Sequence, residues 1–175
     1  MKVLFYLGLT FGLAAAQKAV NACENEDYTG SDVDALLDLG EKTYCISNSH
    51  AGTESGTIIP GHDQFNLTIK GYGTTYFKTS REGSGITIGI VQGSTVGTEQ
   101  KGEKVLLYPS SQEEFKERWF FGQTCYEKQT LSQMVVFVKN PTEEDVKKIQ
   151  QEYGYRVDET AINSCFSDSD DSDSS

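Results

Sequence analysis

The chain has 175 residues, of which 26 are acidic and 15 are lysine or arginine, so its formal net charge is −11. This length suits one domain that buries a sizeable hydrophobic core. Because nucleic acids and anionic membranes repel an acidic surface, the charge balance argues against both as partners.

The first segment is typical of a secretory signal peptide. Met1-Lys2 precedes an apolar run at residues 3–16, which is too short to span a bilayer but fits the core of such a signal. Small residues allow cleavage after Ala16 or after Ala22, and the sequence does not choose between them. We place the signal peptide at residues 1–22 and predict a secreted, extracellular mature chain.

All four cysteines follow this signal, at Cys23, Cys45, Cys125 and Cys165. An even number of cysteines in a secreted chain predicts two disulfides rather than a metal site. None of the cysteines belongs to a CxxC pair, so a zinc site has little support. The sequence alone leaves all three pairings open.

The central part of the chain has the pattern of short β-strands. We predict a helical turn over 32–39 and strands over 43–49, 65–69, 74–79, 86–91, 105–108, 115–127 and 131–138. The segments 51–61 and 93–102 are rich in Gly, Ser and Thr and are predicted to be loops. About eight short strands at this spacing indicate a β-barrel or a β-sandwich.

One of these strands also carries a modification signal. Phe65, Leu67 and Ile69 alternate with polar residues, so the apolar three are expected to face inward and Asn66 outward. Asn66 begins the sequon Asn-Leu-Thr, in which a secreted protein accepts an N-linked glycan. We therefore predict that Asn66 is glycosylated.

The C-terminal region predicts an amphipathic helix over residues 141–153. Asn140 is expected to cap it, with Pro141 at the first helical position and Glu143 reaching back to the cap. Gly154 supplies a left-handed C-terminal stop. The residues that form the apolar stripe are Val146, Ile149 and Tyr153. We expect this stripe to pack against the outside of a sheet.

The end of the chain is expected to contain a short strand, the closing Cys165 and an acidic tail. Residues 167–175 consist of Ser and Asp, and such a segment cannot bury enough apolar surface to offset its ordering entropy. We therefore predict a folded domain over residues 23–166 and a disordered tail over 167–175.

The stretch from Trp119 to Cys165 resembles the C-terminal part of a lipocalin. WFFGQTCYE and MVVFVKN resemble the seventh and eighth strands of that family, and PTEEDVKKIQQEYGYRVDETAINSC resembles the helix, strand and cysteine that follow. The resemblance implies an eight-stranded antiparallel barrel with one C-terminal helix packed outside. It also implies the disulfides Cys23–Cys125 and Cys45–Cys165. Divergent lipocalins of this kind occur in arthropod saliva, among them the amine-binding lipocalins of ticks and the nitrophorin and triabin group.

What the resemblance implies for function is a carrier without a cofactor, which holds a small hydrophobic or cationic ligand inside the barrel. Biogenic amines, fatty acids and eicosanoids are such ligands, and a salivary carrier would scavenge them as mediators. The residues expected to line the cavity are Tyr44, Phe65, Leu67, Ile69, Tyr76, Ile86, Ile88, Leu107 and Trp119.

The charge of the ligand would be matched by a side chain of opposite sign inside the barrel. A cationic amine would need an inward Asp or Glu beside an aromatic residue such as Trp119. An anionic ligand would need an inward basic residue, for which Arg118, Lys78 and Arg81 are the nearest candidates.

The alternative function is a protein-binding inhibitor of a host protease, complement factor or adhesion receptor, acting through the loops predicted at 51–61 and 93–102. An enzyme is not expected, because no Ser-His-Asp or Cys-His set remains once the cysteines pair. Haem binding would require an inward histidine, whereas His50 and His62 are predicted to lie in exposed loops.

Overall fold

The computed structural model describes residues 18–49, 52–61, 64–69, 73–82, 85–92, 104–110 and 112–170. The protein is mainly β, with helices packed around an antiparallel sheet and two disulfides. The strands are β1 (Lys42–Asn48), β2 (Gly52–Pro60), β3 (Gln64–Ile69), β4 (Gly73–Glu82), β5 (Gly85–Gln92), β6 (Lys104–Pro109), β7 (Trp119–Tyr126) and β8 (Gln129–Phe137). The helices are α1 (Ala22–Asn25), α2 (Val33–Leu37), α3 (Glu143–Tyr153) and α4 (Glu159–Asp170). Within these ranges, no helix has both the length and the apolar character needed to cross a membrane.

Five strands form the framework of the molecule, in the order β6, β7, β8, β1, β2, with every neighbouring pair antiparallel. The β8–β1 pairing brings Phe137 opposite Cys45, which joins the last strand to the first. The backbones of β3, β4 and β5 continue the antiparallel pairing outward from β2.

The two faces of this sheet carry two separate hydrophobic clusters, because successive side chains of a strand point to opposite sides. On β7, Trp119 and Phe121 point to one face and Phe120 to the other. We call the cluster around Trp119 and Phe121 the outer cluster, since α3 covers it. We call the cluster around Phe120 the inner cluster.

Helix α3 packs on the outer face as expected, with Ile149 and Tyr153 buried and Val146 partly buried against the outer cluster. The Tyr153 ring stacks on Phe121 at a centroid distance of 4.1 Å. Gly154 ends the helix with a left-handed backbone (φ 67°), as predicted from the sequence.

The start of α3 differs from the prediction, because Thr142 and not Asn140 is the N-cap. The Thr142 hydroxyl accepts a hydrogen bond from the Asp145 backbone N–H at 3.3 Å, and the Asp145 carboxylate accepts one from the Thr142 N–H at 2.7 Å. This reciprocal pair is a capping box. The capping box satisfies two backbone donors. The predicted cap, Asn140 with Glu143, would have begun the helix two residues earlier.

The segment after Gly154 also differs from the prediction. Residues 154–158 form no strand, and α4 then carries Cys165 and continues to Asp170. Tyr155 and Val157 are buried in the outer cluster, as is Ile162 of α4. Residues 167–170 are therefore helical where a disordered tail was predicted, and residues 171–175 of that tail lie outside the described residues.

The disulfides join Cys23 to Cys125 and Cys45 to Cys165, with Cα–Cα distances of 5.4 and 6.1 Å. This is the pairing that the lipocalin resemblance implied. The bonded cysteines are 102 and 120 residues apart in sequence. For loops of this length the chain-entropy model assigns about 4–5 kcal/mol of stabilisation per bond, an upper figure.

The N-terminal part of the described chain belongs to the fold. Residues 18–20 and α1 are helical, and Ala19, Ala22 and Cys23 are buried in the outer cluster. The sequence placed residues 18–22 in a removable signal peptide, whereas their apolar side chains pack on the sheet. Helix α2 occupies the turn predicted over 32–39, and Asp32 caps it by accepting a hydrogen bond from the Ala35 N–H at 3.0 Å.

Two further segments differ from the sequence-based expectation. Residues 51–61 were predicted to be a loop, but 52–60 form β2, where Ile58 is buried and pairs with Leu67. The strand predicted over 115–127 begins only at Trp119, because Glu113–Phe115 form a 3-10 turn that buries Phe115. The other predicted loop, at 93–102, lies outside the described residues.

Candidate functional site

The candidate site is the inner face of the five-stranded sheet, where apolar side chains converge from every strand and from α2. The buried members of the inner cluster are Val33, Leu36, Tyr44, Ile46, Ile58, Leu107, Phe120 and Val136. Except for Val33 and Leu36, each occupies the inward position of its strand. Apolar surfaces of this kind, with a few polar groups, are typical of small-molecule sites.

One end of this face is closed by α2, whose Val33 and Leu36 side chains are 0% and 1% exposed. The chain just before α2 is held to β6 from both directions. The Leu107 N–H donates to the Ser31 hydroxyl at 3.1 Å, and the Asp32 N–H donates to the Leu107 carbonyl at 2.7 Å. These two bonds hold α2 across one end of the inner face. We call the apolar side chains at this end the apolar floor.

Tyr44 lies at this floor and is fully buried. Its hydroxyl donates to the Gly40 carbonyl at 3.2 Å, and burial raises the pKa of the phenol. Tyr44 therefore stays neutral, and its ring forms part of the apolar wall.

The middle of the inner face is shaped by Gly122 and Met134, which are opposite each other on β7 and β8. A Cβ atom on Gly122 would lie 2.7 Å from Met134 Cγ and 3.0 Å from Leu107 Cδ2. Gly122 is thus required by close packing, because the Met134 side chain passes directly over it. Met134 is half-buried and unbranched, so its side chain can adapt to changes in the packing around it.

The inner face also carries polar residues. The register pairs Ile46 with Glu54, and directly opposed residues share a face, so the Glu54 side chain is on the inner side of β2. Ile46 pairs in turn with Val136, and Val136 with Phe120, so Glu54 is in register with apolar residues of the inner cluster. Elsewhere on the same face, Ser132 Oγ donates to Thr124 Oγ1 at 3.2 Å.

The structure separates the residues that the sequence assigned to a cavity lining. Tyr44 and Leu107 meet in the inner cluster, and their contact with a ligand stays a prediction. Trp119 lies on the opposite face, fully buried under α3 with its ring edge-on to Tyr153 at 6.0 Å. Trp119 therefore does not line the inner face, and Phe120 takes the inward position instead. The run Trp119-Phe120-Phe121 is aromatic throughout, so the sequence carried no alternation to show which residue points inward.

The other predicted lining residues are placed by their backbones alone. They are Phe65, Leu67, Ile69, Tyr76, Ile86 and Ile88. Leu67 pairs with Ile58, and Ile69 pairs with Gly56. The side chains of all six lie outside the described residues. The Asn66 side chain is partly exposed, and its glycosylation stays a prediction.

Of the basic residues proposed for an anionic ligand, Arg118 is placed away from the inner face. Arg118 donates to Asp145 on the outer side, with Nε 2.8 Å from Oδ1 and Nη2 2.6 Å from Oδ2. These bonds raise the pKa of Arg118 and hold its guanidinium against α3. The side chains of Lys78 and Arg81 lie outside the described residues.

Within the described part of the chain, no three His, Cys, Asp or Glu side chains are grouped as a metal site would require. His50 and His62, considered above as haem ligands, lie outside the described residues. Among the described residues, Glu54 on β2 and the exposed Lys42 on β1 are charged residues that the register places on the inner face.

A concavity lies outside the sheet, between the β1–β2 region and the connection from α3 to α4. It has a volume of about 450 Å³, and its walls include Ser47, Ser49, Gln133, Tyr155 and Arg156. The Tyr155 hydroxyl is already used in a hydrogen bond to the Ser47 carbonyl at 3.0 Å. These polar walls suit an apolar ligand less well than the inner face does.

Comparison of the chain with protein-family models, with curated proteins and with solved structures finds no match. The family of the protein is therefore not established by relatives. The geometry of the inner face and the sequence resemblance to lipocalins are the grounds on which a function can be inferred.

Proposed function

We propose that the protein is a secreted, lipocalin-like carrier that binds a small amphipathic cation, such as a biogenic amine, on the inner face of its sheet. The observation that carries the proposal is the position of Glu54. Its side chain is on the inner face, which also carries the apolar floor that α2 forms with Tyr44, Leu107 and Phe120. An amine with an aromatic or aliphatic body would match this arrangement, with the body on the floor and the ammonium group at Glu54.

The proposal includes a barrel of eight strands, because a carrier must enclose its ligand. The strand order supports closure, since antiparallel ladders connect β2 to β3, β3 to β4 and β4 to β5. Ile88 of β5 pairs with Val105 of β6, which supports the remaining junction. In a barrel of this size the interior holds side chains or one small ligand.

The pairing of Arg118 argues against this residue as the partner of a fatty acid or eicosanoid. Its guanidinium is bound to Asp145 on the outer face, so it is not available to an anionic headgroup inside. A carboxylate such as Glu54 would instead repel an anionic ligand at short range.

An extracellular location is supported by the two disulfides, which form and persist in oxidising compartments, and by the signal-like residues 1–16. A role in capturing a mediator, as in arthropod saliva, comes from the resemblance alone. The alternative, a protein-binding inhibitor, loses part of its basis because most of the segment 51–61 is strand β2 rather than a free loop.

Isothermal titration calorimetry with aromatic and alkyl amines, and with fatty acids of similar size, tests the proposal. We expect an amine to bind with a micromolar dissociation constant, which corresponds to about 8 kcal/mol. Glu54→Gln should weaken amine binding about tenfold or more, since loss of a charge-assisted bond costs roughly 1.5–3 kcal/mol. Glu117→Gln is the matched control, because Glu117 is an exposed acid before β7.

Two results would overturn the proposal. Fatty acid binding that is insensitive to Glu54→Gln would reject the cationic ligand. Binding weaker than millimolar for both classes would reject the carrier, and the protein-binding inhibitor would then be the better hypothesis.

A further inference from the structure

The five residues before Cys23 make contacts that a signal peptide would not be expected to make. Ala19 is 3% exposed and Ala22 is 0% exposed, and both pack in the outer cluster. The Val20 carbonyl accepts a hydrogen bond from Gln123 Nε2 at 3.1 Å. Gln123 is itself fully buried on β7, so the backbone of residue 20 satisfies a polar group inside the domain.

An ion pair also holds residues 18–22 to the fold. Lys18 Nζ lies 2.8 Å from Asp27 Oδ2, beyond α1. The hydrogen bond from Lys18, with smaller help from Thr29, lowers the pKa of the Asp27 carboxyl to about 2. Residues 18–22 are thus held to the fold by apolar packing, by one buried hydrogen bond and by one ion pair.

Cleavage after Ala22 would remove all three contacts and would also place a new ammonium group on Cys23. Cys23 is 1% exposed and is bonded to Cys125 inside the outer cluster. Ala19 and Ala22 belong to the same cluster as Cys23, so their loss would also uncover this part of the outer cluster. Cleavage after Ala16 keeps all three contacts, because the new terminus would precede Lys18.

We infer that the signal peptide is removed after Ala16 and that the mature chain begins with Gln17, which then cyclises to pyroglutamate. In the first step, water hydrolyses the Ala16–Gln17 peptide bond under a signal peptidase. In the second step, the freed α-amino nitrogen of Gln17 attacks its own side-chain amide carbon. A C–N bond forms, the bond to the side-chain nitrogen breaks, and ammonia leaves with the transferred proton. Neither step needs an oxidant or a reductant.

This processing step depends on the secretion stated in the proposed function, but not on the ligand. The test is expression of residues 1–175 in cultured eukaryotic cells, followed by mass spectrometry of the protein in the medium. The N-terminal peptide is expected to start at Gln17 with a mass lower by one molecule of ammonia. A Gln17→Ser variant is the control, because it should be cleaved at the same bond and keep a free α-amine.

A second measurement tests the packing directly. Chains produced to begin at Gln17 and at Cys23 should differ in their urea midpoints, with the shorter chain unfolding at lower urea. Equal midpoints, or secreted protein that starts at Cys23, would overturn the inference. A free amine on Gln17 would overturn the cyclised terminus. Protein that stays in the cells with its signal peptide attached would overturn both this inference and secretion. Calorimetric titration of refolded protein with amines would still test the proposed ligand separately.

Discussion

Arg118 and Asp145 join the start of β7 to the first turn of α3 through a bidentate ion pair. Both guanidinium–carboxylate distances are short, at 2.8 and 2.6 Å, and the Asp145 side chain is only 1% exposed. The same carboxylate accepts hydrogen bonds from the Thr142 backbone N–H and hydroxyl. One buried acid therefore both caps α3 and fixes the helix to the sheet.

Replacing this acid should destabilise the protein strongly. Asp145→Ala removes the cap and leaves Arg118 without its partner, so we expect a loss of about 2–4 kcal/mol in the free energy of unfolding. Urea denaturation followed by circular dichroism measures it. Glu144→Ala is the control, since Glu144 is exposed, and it should change the free energy by less than about 0.5 kcal/mol. Similar small losses in both variants would show that the ion pair is not important for stability.

The ion pair also predicts a dependence of stability on pH. Burial raises the pKa of Asp145, but the hydrogen bonds from Arg118 and Thr142 outweigh burial, and the net result is a lowered pKa. The folded pKa thus lies below the unfolded value of about 3.9. The stabilisation is complete above that unfolded value and is lost as the pH falls through the folded pKa.

Urea midpoints measured between neutral and strongly acidic pH check this sign. The wild type should lose stability more steeply below about pH 4 than Asp145→Asn does, because the amide cannot titrate. Parallel curves for the two proteins would contradict the expectation.

The apolar stripe of α3 predicts a second pair of variants. Ile149 is fully buried in the outer cluster, so Ile149→Ala should cost about 2–4 kcal/mol through the cavity that it leaves. Gln151 is exposed on the same helix, and Gln151→Ala should be nearly neutral. Chemical denaturation of both variants measures the difference. If Ile149→Ala were as mild as its control, α3 would not be docked on the sheet.

The contact of Gly122 with Met134 predicts a coupled pair of variants on the inner face. Gly122→Ala would force its Cβ within 2.7 Å of Met134 Cγ, and such overpacking typically costs about 1–3 kcal/mol. Met134→Ala removes the obstructing atoms. The double variant should therefore lose less stability than the sum of the two single variants, with a coupling of about 0.5–1 kcal/mol or more. Strict additivity would show that the two side chains do not compete for the same space.

Trp119 predicts a spectroscopic result that separates stability from binding. Because Trp119 is fully buried under α3 and away from the inner face, its fluorescence should report the loss of α3 packing in denaturant. Ligand binding near Glu54 should leave its emission maximum unchanged. A ligand-dependent shift that persists in Tyr153→Phe would contradict this placement.

The amino-acid sequence by itself determined the features that depend on local pattern. The spacing of Ile149 and Tyr153, followed by Gly154, specified the buried side of α3 and its end, because helix periodicity and the left-handed glycine stop are local properties. The predicted N-cap, Asn140, was wrong, although asparagine and threonine both cap helices well. The tertiary contact of Asp145 with Arg118 favours Thr142, and this contact joins residues 27 positions apart.

The face on which each strand residue lies was decided only by the tertiary structure. Trp119, Phe120 and Phe121 are all aromatic, so the sequence does not show which of them face the same side of the sheet. The positions of α3 and α2 determine which helix covers each ring. The segment 52–60 has a loop-like composition, yet it forms β2 because β1 and β3 satisfy its backbone on both sides. Glu54 is one of many acids in the sequence. Its place on the inner face follows from the register of the β1–β2 hairpin, which pairs it with Ile46, and this register could not be derived while residues 51–61 were interpreted as a loop.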